Sequence, residues 1–233
     1  MKIIAIIPAR WSSTILPGKP LSDINGKPMI QWVYEAVKKS NVSEVIVATD
    51  DERIKQTVLG FGGKAVMTSE HHATGTDRVL EAYDLFKDQY DFVINVQGDE
   101  PMINHDDIDR IIMCLKKSPN NIATLVGPLT NEQLTDRNTV KAYIDHDQVK
   151  MFTRSPLYAP QIFFKRHIGI YGFSNRTIEK IVSLQQTENE LAENLEQIRW
   201  ADNGIGFSFA LTQGQYKGID TQKDLENYRT FII

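Results

Sequence analysis

The stretch KIIAIIPARWSSTILPGKP (residues 2–20) joins a continuous apolar run to a polar loop. An unbroken apolar run of this length is typical of a β-strand that is buried on both faces, as in a parallel sheet. The loop carries Arg10 and Lys19 near its two ends and hydroxyl groups at residues 12–14. Cations and polar donors at the carboxyl end of such a strand favour phosphate binding, although a solvated surface loop remains an alternative from this segment alone.

Strands and helices alternate outward from this stretch. The apolar runs predict strands and the amphipathic segments between them predict helices, which gives parallel βαβ units. The predicted strands lie at 2–7, 44–49, 64–68, 91–97 and 121–128.

The second half has a different pattern. Residues 140–153 predict a β-hairpin, further strands follow at 167–173 and 205–212, and a final helix begins near residue 220. We therefore predict an α/β fold in which residues 1–233 form a single domain. A small mixed-sheet insertion is expected at about 129–172.

Composition limits the classes of partner. The 233 residues are 41% hydrophobic and 24% charged, with a net charge of −4, so the chain lacks the basic balance of a nucleic-acid-binding protein. No window approaches the roughly 20 apolar residues that a membrane-spanning helix requires. The single cysteine, Cys114, cannot form an intrachain disulfide, and we expect a cytoplasmic protein without membrane insertion.

Two carboxylates lie at positions that favour a metal site. Asp99 comes shortly after the strand at 91–97, where it could hold Mg²⁺ together with substrate phosphates, or could simply belong to a turn before Pro101. Asp220 begins the last helix and is equally suited to be an ordinary N-cap. If the fold brings both together, they form a two-carboxylate metal site.

Several polar side chains in the second half suit a carboxylate-bearing substrate. Arg154, Lys165, Arg166 and His167 lie close in sequence, although each could also be a solvated charge. The adjacent pair at residues 71–72, both histidines, predicts a surface loop rather than a metal site, because neighbours in sequence rarely chelate one ion.

A set of motifs in order along nearly the whole chain resembles one enzyme family. The motifs include LPGKPL (16–21), VIVATDDERI (45–54), GTDRV (75–79), NVQGDEP (95–101) and GIDTQKDLE (218–226). They resemble the 3-deoxy-manno-octulosonate cytidylyltransferase family, also called CMP-Kdo synthetases. The resemblance implies a homodimer with a nucleotide-diphospho-sugar-transferase-like, Rossmann-like sandwich and a mostly parallel central sheet. It also implies conversion of CTP and the 3-deoxy sugar acid Kdo into CMP-Kdo and pyrophosphate, for lipopolysaccharide biosynthesis.

The same resemblance implies roles for individual residues. Catalysis is assigned to Asp99, Lys19 and Arg10, and Mg²⁺ binding to Asp99 and Asp220. The nucleotide site comprises Arg10, Ser13, Lys19, Gly75, Thr76, Arg78 and Gln97. The stretch 67–78, to which three of these residues belong, shapes the nucleoside pocket. The positions that face the sugar acid are Gln97, Arg154, His167, Tyr171, Glu196 and Gln197.

Two departures from the family pattern leave alternatives open. Ile15 stands where the family carries an arginine, so one phosphate-binding cation is missing. The alternative is that Ile15 packs against neighbours such as Leu16 while a cation from elsewhere takes the place of the arginine. The stretch 155–165 is shorter than in the family, which affects the sugar site and the dimer. The alternatives are a catalytically weakened CTP-binding paralogue, a cytidylyltransferase for another acidic sugar, or a glycosyltransferase of similar fold.

Overall fold

The protein is described here by a computed structural model that covers residues 1–12, 15–158, 163–214, 216 and 218–231. The chain divides into two compact units. The first comprises Met1–Ile108 and Tyr216–Ile233, and the second comprises Asp109–Gln215. The second unit includes the region 129–172, and the single domain with an insertion at those bounds stays a prediction.

The first unit contains a parallel sheet flanked by helices. The strands of this unit are β1 (Ile3–Ala9), β2 (Asp23–Ile24), β3 (Lys27–Pro28), β4 (Glu44–Thr49), β5 (Ala65–Met67) and β6 (Phe92–Asn95). Of these, β2 and β3 pair antiparallel with each other in a separate two-stranded sheet. Its helices are α1 (Met29–Lys38), α2 (Glu52–Gly60), α3 (Gly75–Asp84), the start of α4 (His105–Lys117) and, at the end of the chain, α9 (Gln222–Phe231).

Strand β1 lies inside the sheet of the first unit. It pairs in parallel with β4 on one side and with β6 on the other, and β4 pairs in parallel with β5. All seven β1 residues are buried, as the continuous apolar run of residues 2–7 predicts. The parallel pairing of the first four predicted strands is confirmed, and it aligns the carboxyl ends of β1, β4 and β6 along one edge.

The second unit contains a mixed sheet. Its strands are β7 (Ile122–Gly127), β8 (Lys141–Asp145), β9 (Gln148–Thr153), β10 (Phe164–Ser174) and β11 (Phe207–Leu211). Its helices are α5 (Asn131–Thr135), α6 (Asn175–Ile181), α7 (Glu188–Glu193) and α8 (Glu196–Asp202), together with the rest of α4.

The pairing in this unit is mostly antiparallel among the described residues. Strand β7 pairs in parallel with β11 and antiparallel with β10. The predicted hairpin is confirmed as β8 and β9, and β8 also pairs with β10, while β9 pairs with β11. The five strands therefore form a closed circuit of pairings, which the sequence pattern did not predict.

Helical periodicity correctly predicts the buried faces of the helices. In α1 the apolar residues at helical spacing, Ile30, Val33, Tyr34 and Val37, are all buried. Among the described residues, we find no helix that is both long and apolar enough to cross a membrane.

Candidate active site

A cleft of about 320 Å³ lies at the carboxyl ends of the strands in the first unit. Its lining comes from the loop after β1, the start of α3, the segment after β6 and the start of the C-terminal segment. The polar and charged side chains that line it belong to Arg10, Lys19, His72, Thr74, Arg78, Gln97, Asp99 and Asp220, and Gly75, Gly98 and Ile15 line it as well. The structure thus brings most of the predicted nucleotide and metal residues of this unit into one cleft.

The strand ends approach each other closely beneath this cleft. A Cβ atom at Gly98 would lie 2.7 Å from the carbonyl oxygen of Pro8, so only glycine allows the segment after β6 to pass the end of β1 at this distance. A Cβ atom at Gly75 would lie 3.3 Å from Oε1 of Gln97. Both glycines line the cleft.

The loop after β1 is closed by contacts between Trp11 and Gly18. The Gly18 amide donates to the Trp11 carbonyl oxygen at 3.0 Å, and Gly18 has a positive φ of 69° that favours glycine. The Trp11 ring lies so close that a Cβ atom at Gly18 would be 2.8 Å from Cη2. This closure sets the positions of Arg10 and Lys19, while Ser13 and Thr14 lie outside the described residues.

Lys19 joins the two carboxylates predicted to bind magnesium. Its Nζ lies 2.8 Å from Oδ2 of Asp99 and 3.2 Å from Oδ1 of Asp220. The Ile219 amide also donates to the Asp99 carbonyl oxygen at 3.0 Å, which ties the two acidic segments together. Burial opposes the charged ammonium, but the Asp99 carboxylate, followed by Asp220, more than offsets it and raises the pKa of Lys19 above its usual value.

Helix α3 begins at the cleft and is well capped. Thr74 and Asp77 form a reciprocal capping box, and Thr74 and Gly75 line the cleft. The positive end of the helix dipole therefore lies beside the two cationic ends of the loop, an arrangement that favours an anion.

Two predicted nucleotide residues on α3 make internal contacts. The Thr76 hydroxyl accepts a hydrogen bond from Asn95 at 3.0 Å and is buried. The Arg78 guanidinium lines the cleft but also donates to Asp50 at 2.7 Å and to Thr68 at 2.6 Å. Thr68 lies in the stretch 67–78 that the resemblance assigns to the nucleoside pocket, whereas Asp50 was not predicted as a site residue.

The predicted sugar-acid residues other than Gln97 all belong to the second unit, where His167 and Tyr171 are buried in an aromatic cluster. The centroid of the His167 ring lies 4.8 Å from that of Phe152 and 5.6 Å from that of Tyr171. The ring centroids of Tyr171 and Trp200 are 5.2 Å apart. Burial, followed by the positive charge of Arg154, lowers the pKa of His167 to about 3. Burial, followed by the negative charge of Glu196, raises the pKa of Tyr171. Both side chains are therefore neutral at physiological pH.

Arg154 is held by backbone groups. Its guanidinium donates to the carbonyl oxygens of Arg137 at 3.3 Å and Asn138 at 3.1 Å, and its amide donates to Glu193 at 2.7 Å. Glu196 begins α8 and is partly exposed, whereas Gln197 is buried. A guanidinium beside neutral imidazole and phenol groups can receive a carboxylate and hydroxyl groups.

A family model described as cytidylyltransferase matches residues 4–208, which include the cleft residues other than Asp220 and most of the second unit. The chain belongs to this family. A 3-deoxy-manno-octulosonate cytidylyltransferase from Parabacteroides distasonis is 42% identical to this cytidylyltransferase. The alignment covers 100% of this chain and 98% of the relative. A protein of the same name from Fusobacterium nucleatum is also 42% identical, covering 100% and 97% of the two chains.

Solved structures agree with this assignment. A CMP:2-keto-3-deoxy-manno-octonic acid synthetase complexed with CTP is 38% identical and superposes with a TM-score of 0.94 over 100% of this chain and 98% of that chain. A glucose-1-phosphate thymidylyltransferase from Bacillus anthracis, only 15% identical, has a TM-score of 0.74 over 98% and 94% of the two chains. The cytidylyltransferase therefore has the α/β fold of nucleotidyltransferases that act on sugars.

Ile15 of the cytidylyltransferase lines the cleft and does not pack away from it. Its side chain is 66% exposed, so the alternative in which it is buried against neighbours such as Leu16 does not hold. An exposed apolar side chain occupies the position for which the family resemblance implies arginine.

His72 lies in the stretch 67–78 that the resemblance assigns to the nucleoside pocket, although the histidine pair by itself predicts a surface loop. The prediction of a surface loop holds for the exposed His71, but His72 lines the cleft and its Nε2 contacts Oε2 of Glu81 on α3.

Proposed function

We propose that this cytidylyltransferase is a 3-deoxy-manno-octulosonate cytidylyltransferase, which transfers CMP from CTP to Kdo and releases pyrophosphate for lipopolysaccharide biosynthesis. The observation that carries the proposal is the cleft of the first unit, where Lys19, Asp99 and Asp220 meet beside a loop and a helix start that suit phosphates. The full-length relatives that share this name support the choice of sugar acid.

The nucleotide would bind with its triphosphate at the loop and at the start of α3. Arg10 and Lys19 lie at the two ends of the loop and would donate to phosphate oxygens. Gly75 and Arg78 would border the nucleoside, and Gln97 would lie between the nucleotide and the sugar acid. Ser13 keeps its proposed phosphate role, and Thr76 would act by shaping α3, because its hydroxyl is bonded to Asn95.

The residues of the cleft fit a magnesium ion. Mg²⁺ is usually held by one or two carboxylates together with substrate phosphates and water, and Asp99 and Asp220 supply two carboxylates that share one ammonium. Phosphate oxygens and water would supply the remaining ligands. When bound, Mg²⁺ would neutralise charge on the phosphates and so favour departure of pyrophosphate.

The protein side chains would do the positioning. The anomeric hydroxyl of the sugar acid attacks the α-phosphorus of CTP. A bond forms from that oxygen to phosphorus, the bond to the pyrophosphate oxygen breaks, and the hydroxyl proton passes to water. Arg10 and Lys19 would stabilise the negative charge on the departing pyrophosphate. Arg154 would bind the sugar carboxylate, while His167, Tyr171, Glu196 and Gln197 would hold its hydroxyl groups.

Pyrophosphate release measured with four nucleoside triphosphates and a panel of sugar acids tests the proposal. We expect release with CTP and Kdo in the presence of Mg²⁺, with UTP, ATP and GTP at least tenfold less effective. Release with CTP and a different acidic sugar would replace Kdo in the proposal. CTP binding without release would identify a weakened paralogue, which the full-length identity to cytidylyltransferases does not favour. Transfer only from a nucleotide sugar would identify a glycosyltransferase.

We also propose a cytoplasmic homodimer with a Rossmann-like sandwich and a mostly parallel central sheet. The parallel sheet of the first unit supports the architecture. Exposed apolar side chains in the second unit support self-association, among them Met151, Tyr158, Phe163 and Leu211. The proposed substrate CTP and the single free thiol suit the cytoplasm. Light scattering after gel filtration should give twice the mass of the chain.

A further inference from the structure

Asp50 connects two parts of the cleft without lining it. It follows β4, and its carboxylate is only 8% exposed. Oδ1 accepts a hydrogen bond from the Trp11 amide at 3.2 Å, and Oδ2 accepts one from the Arg78 guanidinium at 2.7 Å. One side chain therefore joins the loop after β1 to helix α3.

The contact to Trp11 controls the geometry of the loop. Trp11 follows Arg10 directly, and its carbonyl oxygen accepts the amide of Gly18, which precedes Lys19. Any displacement of the Trp11 backbone would therefore move the two cations proposed to bind the triphosphate.

The contact to Arg78 controls the other wall of the cleft. The Arg78 side chain is 3% exposed, and Thr68 receives its second hydrogen bond, at 2.6 Å. A buried guanidinium needs a buried partner charge, because an unpaired charge in such a place is strongly unfavourable. Asp50 thus neutralises Arg78 and fixes it where it lines the cleft.

Only a carboxylate satisfies both contacts. The Trp11 amide and the Arg78 guanidinium are both donors, and an ionised carboxylate accepts with both of its oxygens. Asparagine has one acceptor and one donor group, so it would place an N–H group against one of these two partners. The neighbouring Asp51 has another task, because it caps α2 and pairs with Arg53.

We propose that Asp50 is a positioning residue of the nucleotide site, which sets the loop of Arg10 and Lys19 relative to Arg78 and so controls affinity for CTP. This inference rests on the proposed function, since it assumes that the cleft binds CTP. Asp50 itself touches no substrate.

The test compares Asp50→Asn, Asp50→Glu and the control Glu52→Gln, which removes a neighbouring exposed carboxylate from α2. For each protein, calorimetry gives the Kd for CTP with Mg²⁺, steady-state kinetics give the KM values for CTP and Kdo, and thermal unfolding gives Tm. We expect Asp50→Asn to raise the Kd and the KM for CTP about tenfold or more, the loss expected for a charge-assisted hydrogen bond. The KM for Kdo should stay within twofold, and Glu52→Gln should match the wild type.

A folded Asp50→Asn protein with unchanged affinity for CTP, or with equal changes in both KM values, would overturn the proposal in favour of a purely structural role. Asp50→Glu keeps the charge but lengthens the side chain, and it should raise the Kd for CTP less than Asp50→Asn does. If Asp50→Asn does not fold, a wild-type Kd for CTP in Asp50→Glu overturns the proposal instead. A wild-type protein that binds CTP but releases no pyrophosphate refutes the proposed function, and the calorimetric comparison still decides the role of Asp50.

Discussion

Replacement of His167 by glutamine should remove much of the acid sensitivity of the fold. His167 is buried, and its Nε2 lies 2.9 Å from the Thr124 hydroxyl. The Thr124 hydroxyl can donate its one proton to the Ile170 carbonyl oxygen, which also lies at 2.9 Å. The hydroxyl oxygen then accepts a hydrogen bond from the His167 N–H group. Glutamine carries an N–H group at a similar distance from the backbone and can keep this hydrogen bond without accepting a proton.

The sign of the effect follows from the pKa values. Burial lowers the pKa of His167 from 6.5 to about 3 in the folded protein, so the unfolded chain takes up the proton first as pH falls. The contribution of neutral His167 to the free energy of unfolding is complete above pH 6.5 and is lost progressively as pH falls towards 3. At pH 5 the wild type should already have lost about 2 kcal/mol from this group alone.

Urea unfolding at pH 7.5 and pH 5.0 measures this loss. The matched control is His146→Gln, because the His146 side chain is 90% exposed. We expect the decrease in the free energy of unfolding between the two pH values to be about 2 kcal/mol smaller in His167→Gln than in the wild type or in the control. Equal decreases in all three proteins would show that His167 is not held neutral by burial.

Three further predictions concern catalysis. Ile15→Arg should raise kcat for CTP and Kdo about tenfold or more with little change in CTP affinity, because a cation would then face the departing pyrophosphate from an exposed position; steady-state kinetics in which kcat is unchanged or lower would mean that the loop is adapted to isoleucine. Asp99→Asn should lower pyrophosphate release about 100-fold or more while circular dichroism stays unchanged, and near-normal turnover at limiting Mg²⁺ would remove Asp99 from the mechanism. Arg154→Ala should raise the KM for Kdo about tenfold or more, the expected loss of a charge-assisted contact, with the KM for CTP within twofold; a change in the CTP value instead would place Arg154 in the nucleotide site or in structure.

The strand–helix alternation of the first half was predictable because burial on both faces leaves a continuous apolar run. The apolar run of residues 2–7 corresponds to the inner strand β1, and the loop after it lines the cleft. The same rule failed to predict how β7 pairs, because an apolar run does not encode strand direction. Its partner β10 is antiparallel, a consequence of chain connections that single-strand patterns do not contain.

Long-range contacts in the cleft were less accessible to sequence reasoning. Asp99 and Asp220 could each be proposed from their places in the predicted elements, but whether the fold brings them together stayed open, and the assignment of both to Mg²⁺ came from the family resemblance. Lys19, predicted to bind phosphate, bridges the two acids. Asp50 escaped notice because a pair of acids before a helix resembles an ordinary cap, and only tertiary structure shows that Asp51 has this role while Asp50 faces Trp11 and Arg78.

The central claim is the transfer of CMP to Kdo by attack on the α-phosphorus of CTP. The most direct test incubates the protein with Mg²⁺, Kdo and CTP labelled at either the α- or the γ-phosphate, and follows the label through separation of the products. The proposed function predicts that the α-label appears in CMP-Kdo and the γ-label in pyrophosphate, in equal amounts and only when Kdo is present. Label from the γ-phosphate in the sugar product, or pyrophosphate release without formation of the labelled CMP-sugar, would contradict it.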